Sequence, residues 1–197
     1  MSAPSAPALR VADLLHLPLR DLRRLLQQGH AIDPQALHNM EYRGTALGLP
    51  RFVERLTWKT FQKVFFFDPD RRVLRGWNVR VQQRGIGAES VAKQKAGKPI
   101  TFGHYHVVAG RPDESPWPYG PGLLIDYGLG QNGRFDPMRW VRDPLVSLHS
   151  DGADLLLGWS YVDLGLAQIP TPSFFALERE RPLTHFVEPP RSSGRGR

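Results

Sequence analysis

From Gly44 onward the chain is a succession of apolar, β-type runs cut by Gly, Pro and Asp, with no helical pattern between them. That order argues against a parallel α/β sheet, which needs a crossover helix between successive strands. Val73 to Gln83 alternates from Gly76 on, with Trp77, Val79 and Val81 on one side and Asn78, Arg80 and Gln82 on the other. Ile100 to Val108 places Ile100, Phe102, His104, His106 and Val108 on one face. Leu123 to Leu129 and Ser173 to Glu180 read as further strands. Leu145 to His149 and Leu155 to Asp163 form a hairpin around Ser150-Asp151-Gly152. The aromatic stretch from Arg51 to Phe67 reads as two strands or one bent strand, closed by a turn at Asp68-Pro69-Asp70. Segments 84–99 and 110–121 are loops, the second carrying Pro112, Pro116, Pro118 and Pro121. Roughly six to nine strands at this spacing predict a mainly β fold, an antiparallel barrel or sandwich.

The helical signal is confined to the start. Between Ala8 and Gly29, Leu19, Leu22, Leu25 and Leu26 share a face, Pro18 suits a first turn and Gly29 a stop. Asp33-Pro34 opens a second short helix with Leu37 and Met40 as its apolar positions. The expected organisation is a disordered stretch over residues 1–8 and one β-barrel domain over 9–188, with its helices at about 9–40. A disordered basic tail follows over 189–197.

With 41% hydrophobic and 10% aromatic residues the chain can bury a core. It contains no Cys, which removes disulfides, thiolate metal sites and a Cys nucleophile. The formal charge is +7, but Arg191, Arg195 and Arg197 supply three of these charges in the tail, and setting them aside leaves +4. That surplus, without a zinc-finger, KH or RNP signature, predicts no specific nucleic-acid partner. No run approaches the roughly 18 apolar residues of a membrane span, and the first residues lack a signal-peptide pattern, so the expected location is cytoplasmic.

Among chemical motifs the usual enzyme signatures are missing. Gly158-Trp-Ser-Tyr-Val fails the nucleophile elbow, and there is no phosphate loop, GxGxxG or HExxH. The sharpest feature is His104-Tyr105-His106, whose imidazoles share a face and could converge on a metal ion or a ligand. A third metal ligand would have to come from His149, Asp126 or Glu114, and the first acid after His106 is Asp113, unlike the cupin spacing. The expectation is therefore no metal and no cofactor. The run Asp126 to Gly133 is a polar pocket floor or a turn, and Asp136-Pro137 and Arg142-Asp143-Pro144 read as paired Asp-Pro turns. In these turns Arg139 and Arg142 could reach an anionic group. The aromatic load, Trp58, Trp77, Trp117, Trp140 and Trp159 among it, suits a barrel holding one small apolar ligand.

Leu37-His-Asn-Met-Glu-Tyr-Arg-Gly44 resembles the opening of the GXWXG domain, with Met40 and Tyr42 at the first Gly and Trp positions and Gly44 at the last. Asp154-Leu-Leu-Leu-Gly-Trp159 and Ser173-Phe-Phe-Ala-Leu-Glu-Arg179 are similar to the closing hairpin of its companion β domain, so the resemblance spans about residues 30–180. Tyr42 to Pro50, through Gly44, Gly48 and Pro50, also resembles the first strand of nitrobindin-like and other lipocalin-type (calycin) barrels. This resemblance implies a closed barrel with an internal ligand. Nitrobindin holds haem on a late histidine; neither His149 nor His185 lies in a matching context.

The sequence thus predicts an antiparallel lipocalin-like β-barrel preceded by one or two short α-helices, holding a small hydrophobic or amphipathic ligand. The expected cavity residues are Trp77, Phe102, His104, His106, Tyr127 and Trp159, with the histidines as orienting groups. Two other readings stand beside it. One is a barrel-fold isomerase, cyclase or hydrolase using His104 or His106 as general base. The other is a protein-interaction module using the proline-rich 110–121 loop.

Overall fold

The computed structural model describes residues 9–48 and 59–189. Eight antiparallel strands close into a barrel: β1 (Met40–Leu47), β2 (Thr60–Asp68), β3 (Val73–Val79), β6 (Thr101–Ala109), β7 (Leu123–Asp126), β8 (Val141–Ser147), β9 (Leu155–Asp163) and β10 (Gln168–Pro182). Each strand pairs with its neighbour in chain order, and β10 returns to β1 from Met40↔Pro182 to Leu47↔Phe174. A two-stranded hairpin, β4 (Gln94–Lys95) and β5 (Lys98–Pro99), sits in the β3–β6 connection. The mainly β antiparallel barrel read from the sequence is therefore what the chain forms. Closure removes both sheet edges, so every strand has two partners.

The helical start is shorter than its periodicity suggests. It splits into α1 (Val11–Leu14) and α2 (Leu19–Gln28), with Pro18 as the N-cap of α2. The second expected helix is a 3₁₀ turn over Pro34–Leu37, capped by Asp33 Oδ1 on the Gln35 amide (2.9 Å), and Met40 already belongs to β1. Among the described residues no helix is long and apolar enough to cross a membrane. The expected disordered segment at 1–8, all but the first residue of the expected 189–197 tail, Trp58, Pro50 and the first part of the Arg51–Phe67 run lie outside the described residues.

Both faces of the barrel wall are apolar. Inside, Ile32, Leu37, Tyr42, Phe65, Tyr105, Ile125 and Leu177 belong to one buried cluster. Ile32 and Leu37 come from the segment before β1 and plug one end of the barrel. Outside, α1 and α2 lay Val11, Leu14, Leu22 and Leu26 over Val146, Leu155, Leu157 and Trp159. A second outer patch, Val64, Trp77 and Val79, is covered by Leu183 and Val187 of the C-terminal segment. Burying an apolar group is worth about 25 cal/mol per Å², so the straps stabilise the wall much as the interior does.

Two differences from the sequence reading decide where the site lies. First, β6 contains a bulge. Gly76 pairs with Tyr105 but Asn78 pairs with Phe102, so β6 carries one extra residue, at Gly103–His104. Gly103 adopts φ +53°, the left-handed conformation that a bulge of this kind requires. The extra residue flips the alternation: Phe102 faces inward with its partner Asn78, and past the bulge Tyr105 and Val107 do, while His104 and His106 face out. Second, Asp143-Pro144 is not a turn. β8 starts at Val141 and runs through both residues, which sends Asp143 into the barrel.

Candidate functional site

Among the described residues, the end opposite the Leu37 plug is open. A cavity of about 170 Å³ there is lined by Phe61, Phe102, Met138, Phe174, Phe175 and Ala46, with Lys63, Asn78, Tyr127, Asp143, Ser160 and Ser173 as its polar members. The Phe175 ring lies flat on β9 because Gly158 has no side chain. A Cβ there would stand 2.1 Å from Phe175 Cζ.

At the floor is a buried ion pair. Lys63, 2% exposed, points inward from β2 between Phe61 and Phe65 and sets its Nζ 3.2 Å from Asp143 Oδ2 of β8. It also donates to Asn78 Oδ1 (3.1 Å) and to the Tyr127 hydroxyl, so all three ammonium protons are used. Tyr127 donates to Asp143 Oδ2 (3.1 Å) and Ser160 Oγ to Asp143 Oδ1 (2.7 Å). Asn78 Nδ2 bonds the Gly103 carbonyl (3.1 Å), tying the bulge to the cluster. Four rings surround the ammonium, with Tyr105 and Tyr127 each 5.0 Å, Phe175 5.1 Å and Phe61 5.9 Å from it.

Burial lowers the Lys63 pKa from the ordinary lysine value, with the Asp143 carboxylate opposing that shift. Burial, and next the Asp143 charge, raise the Tyr127 phenol well above its ordinary value, so it stays a proton donor. The turn after β7 positions Tyr127. Asp126 Oδ1 accepts from the Gly128 amide (2.7 Å), and Asn132 Nδ2 bonds the carbonyls of Tyr127 and His104 (both 2.7 Å). The polar run Asp126–Gly133 is thus a turn that delivers one pocket residue.

Of the six residues expected to share a cavity, the structure brings together two, Phe102 and Tyr127. The other four are on the outer wall. Trp77 lies under the C-terminal segment, across Val64. Trp159 is stacked on Trp117 (ring centroids 4.4 Å apart, 14° between planes) and donates to Thr171 O at 2.8 Å. His104 and His106 flank Arg75 and Arg71 in a narrow crevice. Their displacement follows from the bulge in β6 and from the apolar straps, which give the outer wall a buried face of its own. His104 is 5% exposed and its Nδ1 has no hydrogen-bond partner among the described residues. Burial and, second, the Arg75 charge lower its pKa to about 4. His149, a candidate third metal ligand, instead meets the Leu9 carbonyl through Nε2 (3.1 Å), and Asp126 pairs with Arg142 (3.2 Å).

Sequence reasoning missed Lys63, Asn78, Asp143 and Ser160. A signal existed for the first: Lys63 is the one charged residue within Phe61–Phe67 and alternates with Phe61 and Phe65. Asp143 was hidden by reading Asp-Pro as a turn.

No family model matches the chain, and no curated protein is similar to it at a significant level. Fold and cavity therefore define a class only, a closed eight-stranded antiparallel barrel with a cavity at one end among the described residues. That architecture is consistent with a lipocalin-like fold.

Proposed function

We propose that this barrel holds a small, uncharged, amphipathic ligand of about one ring in size, its polar end on the Asp143–Ser160 side of the floor. The observation that carries the reading is the cavity over a charge-balanced floor. Its volume, about 170 Å³, is close to that of a roughly 150 Å³ apolar cavity known to accept benzene. Lys63 and Asp143 neutralise each other, so an added ion would be desolvated without a partner. The floor's donors are committed within the cluster. What remains is acceptor capacity: Asp143 has about four lone-pair sites for three described donors, and Ser160 Oγ keeps its own. A hydroxyl or N–H on the ligand suits that floor.

The histidine-based enzyme reading has less support, since neither imidazole faces the cavity. The interaction-module reading meets a loop already packed on its own barrel, with Trp117 stacked and Tyr119 buried.

The test is native mass spectrometry of freshly purified protein for a retained ligand, followed by titration with phenol, anisole and benzoate. Phenol is expected to bind, anisole about fivefold to tenfold more weakly for want of its donor, and benzoate not at all. The Ala46→Phe variant fills the mouth and is expected to abolish binding while keeping the fold. Absence of any retained ligand or phenol binding, or phenol binding indifferent to Ala46→Phe, overturns the reading.

A further inference from the structure

We propose that the open end of the barrel is a docking surface for an anionic lipid bilayer. The loops at this end are unlike those at the other. The β9–β10 hairpin projects past the cavity, with Asp163↔Gln168 as its last pair, and its tip from Leu164 to Ile169 carries no charge. Leu166 at that tip is fully exposed, and Leu164 and Ile169 are about half exposed. Beside it, Val141↔Val162 pairing sets Trp140 next to the base of the hairpin, and the same connection exposes Phe135 at 92%. Large apolar side chains at loop tips are costly in water and are explained by a partner that covers them.

The charges say which partner. Among the described residues, Lys59, Arg80, Arg134 and Arg139 flank this end against Asp136 and Asp163, while the rest of the β3–β6 connection folds back along the outer wall, where Arg181 meets Glu89 (2.9 Å) and the Ser90 carbonyl (3.0 Å). The β2–β3 and β8–β9 connections at the other end hold Arg71 and Arg72 against Asp70, Asp151 and Asp154. Arg134 and Arg139 lie over the rings of Phe135 and Trp140 (5.8 and 5.1 Å), pairing a cation with each aromatic tip. The acids among the tips are engaged: Asp136 Oδ1 accepts from the Met138 amide (2.9 Å), and Asp163 from the Gly165 amide (2.9 Å). The β6–β7 connection runs along the outer wall and brings Glu114, paired with Arg111 (3.1 Å), against Gln168. Apolar tips with Arg134 and Arg139 at their aromatic members match an interface where acyl chains take the tips and anionic headgroups the cations. Of the five apolar tips, Leu164, Leu166 and Ile169 offer bases no ring to stack on and only Phe135 and Trp140 do, so the aliphatic majority favours acyl chains over nucleobases.

The full chain is tested by co-sedimentation with vesicles of phosphatidylcholine and with an equimolar mixture of phosphatidylcholine and phosphatidylglycerol. Binding is expected to the mixed vesicles only, to weaken with salt, and to fall about tenfold in Leu166→Asp and in Phe135→Asp. Brominated lipid is expected to quench tryptophan fluorescence in the parent chain and much less in Trp140→Phe. Leu166→Ser, which adds no charge, guards against electrostatic repulsion as the sole cause and is expected to lose binding too. Equal partition onto both vesicle types, no binding to either, or binding unchanged in all the tip variants overturns the proposal. So does displacement from the vesicles by single-stranded oligonucleotide that the tip variants still bind.

Discussion

Lys63 and Asp143 meet at 3.2 Å across the barrel interior although 80 positions separate them in the chain. Neither could be ionised there alone, because a lone buried charge costs several kcal/mol in desolvation.

That dependence gives the first prediction. Asp143→Leu leaves the Lys63 ammonium unpaired and is expected to lower unfolding stability by about 3–5 kcal/mol. The double variant Lys63→Met, Asp143→Leu is expected to recover most of that loss. Chemical denaturation of the four proteins in this cycle measures the coupling; additive losses would remove the ion pair from the account. Phenol binding is expected to be weakened in the double variant, since its acceptor is gone.

Gly103 supports a second prediction. Alanine at this position must adopt φ +53°, and its Cβ would stand 3.0 Å from Asn78 Nδ2 and 3.1 Å from Tyr127 Cε1. The strain is about 1–3 kcal/mol, and both crowded side chains belong to the floor. Gly103→Ala is therefore expected to lower the melting temperature and to weaken phenol binding together.

His104 supplies the pH dependence. Its pKa drops from 6.5 to about 4 on folding, so the unfolded chain takes up its proton first as the pH falls. Stability is complete above the unfolded value and declines between pH 6.5 and about 4, by on the order of 3 kcal/mol. The Arg75 guanidinium in the same crevice adds repulsion to the protonated ring. His104→Phe is expected to flatten the acid limb of a denaturation series; an unchanged limb would show the proton is taken elsewhere.

Trp117 separates wall from cavity. Removing its ring takes away the stack on Trp159 and the Arg23 guanidinium contact at 4.5 Å. Trp117→Ala is expected to cost about 3 kcal/mol in stability and to leave phenol affinity within twofold of the parent, by calorimetry.

The strands were legible because most alternate and are bounded by Gly, Pro and Asp. Leu155–Asp163 coincides with the run seen in the sequence, while Val73–Val79 starts where its run does and ends four residues before Gln83. What alternation could not supply was which face looks inward. In a barrel wrapped by straps both faces are apolar, so Trp77 and Trp159 carry the same pattern as an interior residue. One inserted residue at Gly103 then reverses the rule for the rest of β6, taking His104 and His106 outside. Lys63 and Asp143 lay in segments read as aromatic strand and as turn, and their pairing depends on a register between β2 and β8 that no local pattern contains.

The Leu37 plug has a kinetic consequence. With one end filled by Ile32 and Leu37, a molecule in the cavity enters and leaves by the same door. A change that narrows the door without entering the cavity slows arrival and departure together and leaves the equilibrium where it was, whereas Ala46→Phe takes up the space itself.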